Sequence, residues 1–306
     1  MSKESEPGPL RRVLRWLLTL LALGFVAWAA RGWFEDWQAR EPVRVQWVWV
    51  AGAGLAVLGN NLAQALAWAF LLRGMSGTPA RLTGLVAVYA ASHLGRYVPG
   101  KVALAVIRAE GAERLGVAGA TVYSSIVVEL ISWLAAACAV ASTAAMLSAS
   151  RGQSPALPEV ASASLLAGVG ALTVALLLLD RRRLPERVRG ALKLSDGAGP
   201  VLPWRVPLWH VLQFLCWGTQ AVLLGWAVGA SSGEAFAAVP FFVLAPASGM
   251  VAVALPAGLG VREAVMVAGL SPAVGPAAAL TAAALSRALA LGVDLALWAA
   301  TRHRIS

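Results

Sequence analysis

Charged residues are scarce in this chain. Only 13% of its 306 residues are Asp, Glu, Lys or Arg, whereas 59% are hydrophobic and the mean hydropathy is +0.71. In a soluble domain about a quarter of the residues are charged. The shortage of charge excludes a disordered chain and a soluble enzyme, and it predicts an all-α polytopic membrane protein.

Cysteine and histidine are also few, and common catalytic motifs are missing. Cys138 and Cys216 both fall inside apolar runs, so we expect neither a disulfide framework nor a cysteine metal site. The three histidines form no HExxH pattern, and no Walker or GxGxxG loop occurs. We therefore predict no catalytic residues, no metal and no cofactor, and a protein that is not an enzyme.

Long apolar runs dominate the rest of the sequence. About 20 apolar residues span a bilayer core. The runs are 13–30, 47–72, 82–107, 118–147, 159–179, 207–229, 235–270 and 277–300. They predict one integral membrane domain over 13–300, with short cytoplasmic tails at 1–12 and 301–306. The run 13–30 resembles a signal peptide in its basic start and its Ala27-Trp28-Ala29 ending, but its length favours a retained anchor.

The basic residues indicate the orientation. If the N-terminal tail, the connections at 73–81 and 108–114, the loop 180–206 and the C-terminal tail share one side, that side carries 17 of the 25 Lys and Arg residues. The opposite side carries four, and four lie within apolar runs. This asymmetry predicts cytoplasmic termini in a plasma (inner) membrane. The net charge of +10 thus reflects topology, and we expect no nucleic-acid partner.

Two apolar runs contain breaks. Arg96-Tyr97-Val98-Pro99-Gly100-Lys101 interrupts 82–107, and Leu255-Pro256-Ala257-Gly258-Leu259-Gly260-Val261-Arg262-Glu263 interrupts 235–270. Proline and glycine free backbone groups that lipid cannot satisfy. We interpret both runs as re-entrant helical hairpins broken at Pro99, Gly100, Pro256, Gly258 and Gly260. About six full spans then remain.

The sequences around the two hairpins resemble each other. Residues 64–77 align without a gap on residues 220–233, and four of the fourteen pairs are identical. In the predicted topology, 47–72 and 207–229 cross the membrane in opposite directions. We therefore predict inverted repeats at about 47–147 and 207–300, an arrangement typical of transporters. A duplication retained only for structure is the alternative.

Several charges lie where a membrane tolerates few. A charge at the bilayer centre costs roughly 2.5–3.5 kcal/mol even on the lenient scale. The candidate substrate-binding residues are Arg96, Lys101, Arg108, Glu129, Arg262, Glu263, Arg287 and Asp294. Basic side chains beside the start of a half-helix suit a phosphate, such as a lipid headgroup. The carboxylates would balance them or accept a cationic group of the headgroup.

Internal ion pairing is the alternative role for these charges. Arg287 and Asp294 lie seven residues apart on one predicted helix face and are candidates for a pair. Glu129 could pair with an arginine of a hairpin. Arg108 belongs to the segment 108–114, whose charges we expect to lie in solvent at the cytoplasmic end of the hairpin. The polar residues Asn60, Asn61, Gln64, Gln213 and Gln220 are expected to make interhelical hydrogen bonds.

The two break segments, the first followed by Arg108, resemble the two signature segments of the lysylphosphatidylglycerol synthase transmembrane region, also called the flippase-like domain family. The resemblance covers roughly residues 10–300. It implies the fold of the membrane half of the bacterial multiple peptide resistance factor, which moves aminoacylated phosphatidylglycerol between leaflets. Those proteins carry a soluble aminoacyl-transferase domain after the membrane part. The sequence here ends at Ser306, so we expect no synthase activity.

These patterns lead to one preferred function and two alternatives. We expect a flippase or translocator that moves an anionic or aminoacylated (glyco)phospholipid or another lipid-linked substrate, with a homodimer also possible. No ATPase motif is present, so transport would be downhill, ion-coupled or driven by headgroup modification elsewhere. The first alternative is a lipid-modifying transferase with Glu129, Glu263 or Asp294 as base. The second is a non-catalytic partner of a separate synthase or glycosyltransferase, docked through the basic segment 181–193.

Overall fold

The computed structural model describes residues 43–97, 102–153, 157–178, 186–191, 201–251 and 260–304. The run 13–30, the predicted tail 1–12 and most of the loop 180–206 lie outside the described residues. So do five of the residues predicted at the breaks, which are Pro99, Gly100, Lys101, Pro256 and Gly258. The regular secondary structure of the described residues is helical, as predicted.

The helices have the following bounds. They are α1 (Trp47–Ser76), α2 (Leu82–Leu94), α3 (Val102–Glu113), α4 (Gly119–Ala149), α5 (Leu157–Leu178), α6 (Glu186–Ala191), α7 (Arg205–Ala227), α8 (Ser232–Ala237), α9 (Val239–Val251) and α10 (Val261–Thr301). A 3₁₀ turn at Gly95–Tyr97 follows α2, and another at Arg302–Arg304 follows α10.

Four segments are long and apolar enough to cross a membrane, judged by length and composition within the described residues. They are Trp47–Ser76, Gly119–Ala149, Ser232–Met250 and Val261–Arg304. Helix α5 adds a shorter apolar segment, Glu159–Ala171. The predicted run 207–229 is helix α7, which has 23 residues. The chain is thus a helical, multi-pass membrane protein.

Helices α1 and α7 pack against each other in opposite directions. Where α1 begins, the backbone N–H of Gln46 donates to the carbonyl of Ala227 at the end of α7, with an N···O distance of 2.9 Å. Towards the other end of α1, the ring of Phe70 stacks on that of Trp209 near the start of α7, with centroids 6.4 Å apart. The two segments that align in sequence therefore lie antiparallel.

Helices α2 and α3 form an antiparallel hairpin held together by close approach at glycines. A Cβ atom on Gly111 would lie 2.8 Å from side-chain atoms of Val88. A Cβ atom on Gly95, where α2 ends, would lie 2.6 Å from the backbone nitrogen of Leu104. Any larger side chain at Gly95 would push the two arms apart. The two halves of the first apolar run therefore pack against each other.

The second broken run also forms an antiparallel pair of helices. A Cβ atom on Gly269 of α10 would lie 2.5 Å from the side chain of Phe241 on α9. Gly260, which immediately precedes α10, has φ 84°, a left-handed conformation that favours glycine. Gly260 therefore lies at a non-helical position directly before α10.

Helix α10 itself reverses direction at Gly275. This residue has φ 80° and ψ 163°, a conformation essentially restricted to glycine, and Pro272 and Pro276 flank it. Glu263 and Arg287 would lie about 36 Å apart on a straight helix at 1.5 Å per residue, yet their side chains are 2.6 Å apart. We call residues 261–274 the first arm of α10 and residues 276–301 the second arm.

The same order of elements occurs twice. A long helix (α1), a two-helix hairpin (α2 and α3) and a second long helix (α4) are followed, after α5 and α6, by α7, a hairpin of α8, α9 and the first arm of α10, and then the second arm. In the second set the break at Gly260 lies close to the second arm of α10, and the 3₁₀ turn at the first break contacts the same arm through Asp294. The functional side chains are grouped around these two breaks.

Candidate functional site

Asp294 lies at the centre of a buried polar cluster that joins the two sets of helices. Its Oδ1 atom accepts from Asn61 Nδ2 on α1 at 2.8 Å and from Arg96 Nη2 in the 3₁₀ turn at 3.2 Å. His93 Nδ1 is 3.1 Å from the same oxygen and also contacts Arg96. The hydroxyl of Tyr97 donates to Oδ2 at 2.9 Å. One carboxylate from α10 thereby binds four side chains from α1, α2 and the turn.

Glu263 and Arg287 form the second ion pair of this cluster. Arg287 Nη1 is 2.6 Å from Glu263 Oε1. The other oxygen, Oε2, accepts from the backbone N–H of Gly260 at 2.8 Å and so satisfies an otherwise free donor at the start of α10. Because a carboxylate already binds at this helix terminus, anion binding there depends on the neighbouring arginines.

Arg262 differs from the other arginines of the cluster because its partners are neutral. Its Nη2 atom donates to the hydroxyl of Ser286 at 2.9 Å, and its guanidinium lies 5.0 Å from the ring centroid of Trp217. Gln220 Nε2 donates to the same hydroxyl at 3.1 Å. Arg262 is only 9% exposed and its Nε atom has no partner among the described residues. No described carboxylate forms an ion pair with it.

The charges of the two breaks form one electrostatic group. Arg262 interacts electrostatically with Arg96, Glu263 and Arg287, and Tyr97 interacts with Arg96, Asp294 and Arg287. The side chains of Arg96 and Arg287 are 25% and 21% exposed, whereas the two carboxylates are nearly inaccessible. Three arginines of this group thus share two carboxylates, and the described residues of the group carry one positive charge in excess.

Arg108 and Glu129 form a separate, closed cluster between α3 and α4. Arg108 Nη1 is 2.5 Å from Glu129 Oε2, and its Nε atom donates to the hydroxyl of Ser92 at 3.0 Å. The hydroxyl of Tyr89 donates to Glu129 Oε1 at 2.8 Å, and the guanidinium stacks 4.0 Å from the Tyr89 ring centroid. The prediction that Glu129 pairs with a hairpin arginine is confirmed. The contacts of Arg108 with described residues are all made inside the protein.

Two sequence-based interpretations are wrong. Arg287 does not pair with Asp294, because seven residues of helix separate them by about 10 Å and the reversal at Gly275 brings Glu263 to Arg287 instead. Arg108 does not belong to a solvated end, since it is 3% exposed. It shares the α2-facing side of α3 with Gly111, three residues on, whereas Glu110 points to the exposed side.

The structure brings five of the eight candidate residues together, and they are Arg96, Arg262, Glu263, Arg287 and Asp294. It places Arg108 and Glu129 in the neighbouring cluster, and Lys101 lies outside the described residues. The two clusters also contain residues that were not predicted as site residues, and they are Tyr89, Ser92, Tyr97, Trp217 and Ser286. Tyr97 and Ser286 each adjoin a candidate arginine in sequence, which was the available signal. In the described part of the chain, no three His, Cys, Asp or Glu residues are grouped as metal ligands would be.

The buried ion pairs predict a measurable effect on stability. Replacing Glu129 by Gln leaves the buried Arg108 without its counter-charge, which costs about 3–5 kcal/mol. Replacing Asp294 by Asn removes the counter-charge of Arg96, and we expect a smaller cost because the Arg96 side chain is 25% exposed. We expect each variant to lower the midpoint of thermal unfolding in detergent. Glu110→Gln is the control, because Glu110 is exposed on α3. Midpoints equal to that of the control would show that the pairs do not stabilise the fold.

Comparison with known proteins gives the family of the chain. A search of curated proteins found no match. The family model described as the lysylphosphatidylglycerol synthase TM region matches residues 13–297, and this range includes both breaks and all the clustered charges. This family model describes the membrane part of synthases, which agrees with the helical multi-pass fold of the chain. The chain belongs to the lysylphosphatidylglycerol synthase transmembrane region family.

Proposed function

We propose that this protein is a lipid flippase or translocator that moves an anionic or aminoacylated phospholipid between the leaflets of the plasma membrane. The polar headgroup binds between the two hairpins, and the acyl chains stay in the bilayer. Arg96, Arg262 and Arg287 form the headgroup site, to which Lys101 of the first break adds a further positive charge. Membership of a family named for a lipid synthase supports a lipid as the ligand.

The observation that carries this proposal is the environment of Arg262. A buried charge is costly unless it is paired and hydrogen-bonded. Among the described residues, Arg262 contacts the Ser286 hydroxyl and the Trp217 ring, it is attracted to Glu263 without forming an ion pair with it, and its Nε atom is unpartnered. A phosphate oxygen would supply the missing counter-charge and accept from Nε. An anionic headgroup is therefore the ligand whose chemistry fits this residue.

The two neighbouring arginines suit the route of a headgroup. Arg96 and Arg287 each hold one carboxylate and remain about a fifth to a quarter exposed, so each has donors accessible from outside the cluster. Guanidinium groups bind phosphate in a bidentate manner. A headgroup can thus contact the exposed arginines before it reaches Arg262.

The carboxylates support transport over catalysis. Glu129, Glu263 and Asp294 are each bound by an arginine, at 2.5, 2.6 and 3.2 Å. An oxygen that already accepts from an arginine has less capacity to accept a proton or a hydrogen bond from a substrate. The contacts therefore favour binding of a lipid over its chemical modification by a base.

The helix directions support an inverted-repeat topology with both termini in the cytoplasm. Helices α1 and α7, the first long helices of the two sets, are antiparallel. The second arm of α10 runs parallel to α1, because Gly54 faces Leu289 and Asn61 contacts Asp294. These directions agree with alternate crossings in which both hairpins are re-entrant and enter from opposite faces of the membrane.

Removing the charge of Arg262 tests the headgroup site. In vesicles containing fluorescent phosphatidylglycerol, we expect Arg262→Gln, alone or with Lys101→Gln, to slow exchange between leaflets at least tenfold. The glutamine keeps hydrogen-bonding capacity but cannot neutralise a phosphate. Arg114→Gln, which changes an exposed arginine at the end of α3, should exchange lipid at the wild-type rate. If the Arg262 variants flip every anionic lipid tested at the wild-type rate, the proposed site is wrong.

The topology can be tested by thiol labelling. In a protein with Cys138→Ala and Cys216→Ala, we expect Arg114→Cys to react with a membrane-impermeant reagent only from the cytoplasmic side. Ser231→Cys, in the connection between α7 and α8, should react from the outside. Both positions are exposed, so both should react once cells are permeabilised. Labelling of the two positions from the same side would contradict the proposed topology.

A further inference from the structure

A long apolar groove runs along the outside of the helix pair α4 and α7. It has a volume of about 640 Å³ and is lined on α4 by residues from Ala139 to Leu147 and on α7 by residues from Val211 to Trp226, with Phe236 and Val239 at one side. This volume lies within the range of about 300–1,000 Å³ that is typical of small-molecule sites. The groove is large enough for a specific ligand.

The walls of the groove are almost entirely apolar. Thr143 and Thr219 are the lining residues with hydroxyl groups. Thr143 Oγ1 donates to the carbonyl of Ala139 at 2.8 Å, and Thr219 Oγ1 donates to that of Leu215 at 2.9 Å. Each hydroxyl is thus bound to the backbone of its own helix. Apart from the indole N–H of Trp226, the surface left to a ligand is hydrocarbon, which suits an acyl chain.

The length of the groove exceeds one leaflet. From Val211 to Trp226 the helix rises about 22 Å at 1.5 Å per residue. The hydrocarbon core of a bilayer is about 30 Å thick, so one leaflet supplies about 15 Å of it. In the topology proposed above, α7 crosses the membrane, so a groove of this length along it passes the bilayer midplane. A chain lying in it can therefore extend from one leaflet towards the other.

The groove and the headgroup site lie on neighbouring faces of the same helix. Trp217, whose ring contacts Arg262, is followed by Gly218, which lines the groove. The two positions are separated by no more than a helix diameter, about 10–12 Å. A Cβ atom on Gly218 would lie 3.1 Å from Val239, so glycine keeps this part of the groove open.

We infer that the groove between α4 and α7 is the acyl-chain subsite of the transported lipid. It holds one fatty acyl chain of the phospholipid whose headgroup binds near Arg262. This inference rests on the proposed function and makes it more specific: the ligand must carry a long chain, and a free phosphate or a soluble aminoacyl ester would fill only half of the site.

Photolabelling of the full-length protein in vesicles tests this subsite. The probe is a phosphatidylglycerol with a diazirine at the end of one acyl chain, diluted into phosphatidylcholine. We expect crosslinks to concentrate on 139–147 of α4 and 211–226 of α7. Thr219→Trp and Thr143→Trp fill the groove from exposed positions and should lower this labelling at least fivefold. Leu212→Trp is the matched control, because Leu212 is exposed on α7 outside the groove.

Two outcomes would overturn the inference. One is labelling spread evenly over the exposed apolar residues of α1, α5 and α7, and the other is groove labelling that the two filling variants leave unchanged. Neither result would contradict the proposed headgroup site if Arg262→Gln still slows lipid exchange. Conversely, specific groove labelling with unaltered exchange in Arg262→Gln would retain the chain subsite and reject the proposed headgroup site.

Discussion

A charge inside a membrane protein has to find its partner within the protein, and this constraint organises the interior of the chain. Glu129 pairs with Arg108 in the first set of helices, and Glu263 pairs with Arg287 in the second. Each pair joins one arm of a hairpin to the long helix that follows it, with the signs exchanged between the two sets. Asp294 then joins the second set to α1, α2 and the turn after α2. The broken helices are stabilised by these contacts, because hydrocarbon offers their polar groups nothing.

Against this background, Arg262 stands out as a charge whose described partners are all neutral. Ligand-binding residues often lower the stability of the unliganded protein, since their polar groups are arranged to contact the ligand. The buried position of Arg262 beside the break at Gly260 connects the architecture to the proposed function. The hairpins bring backbone breaks and arginines to one place, and the ion pairs keep them there.

Much of this arrangement could be predicted from the sequence, because hydrophobic runs and the distribution of basic residues report directly on membrane helices. The interruptions of the two apolar runs, and the choice of Arg96, Arg262, Glu263 and Asp294 as candidate residues, followed from charges and Pro-Gly segments in apolar surroundings. The contacts that these charged residues make did not follow from the sequence in the same way. Arg287 binds Glu263 because α10 reverses at Gly275, and Arg108 is buried because α3 packs closely on α2 at Gly111. Both depend on tertiary packing, which periodicity within one helix cannot reveal.

The central claim is that Arg262 requires an anion, and its most direct test is thermal unfolding in detergent with and without added phosphatidylglycerol. Without lipid, Arg262→Gln should unfold at or above the wild-type temperature, because it removes a buried charge that has no ion pair among the described residues. Added phosphatidylglycerol should raise the midpoint of the wild type but not that of the variant, since a ligand stabilises only the protein that binds it. Phosphatidylcholine should raise neither. An equal rise for wild type and variant with phosphatidylglycerol would contradict the account.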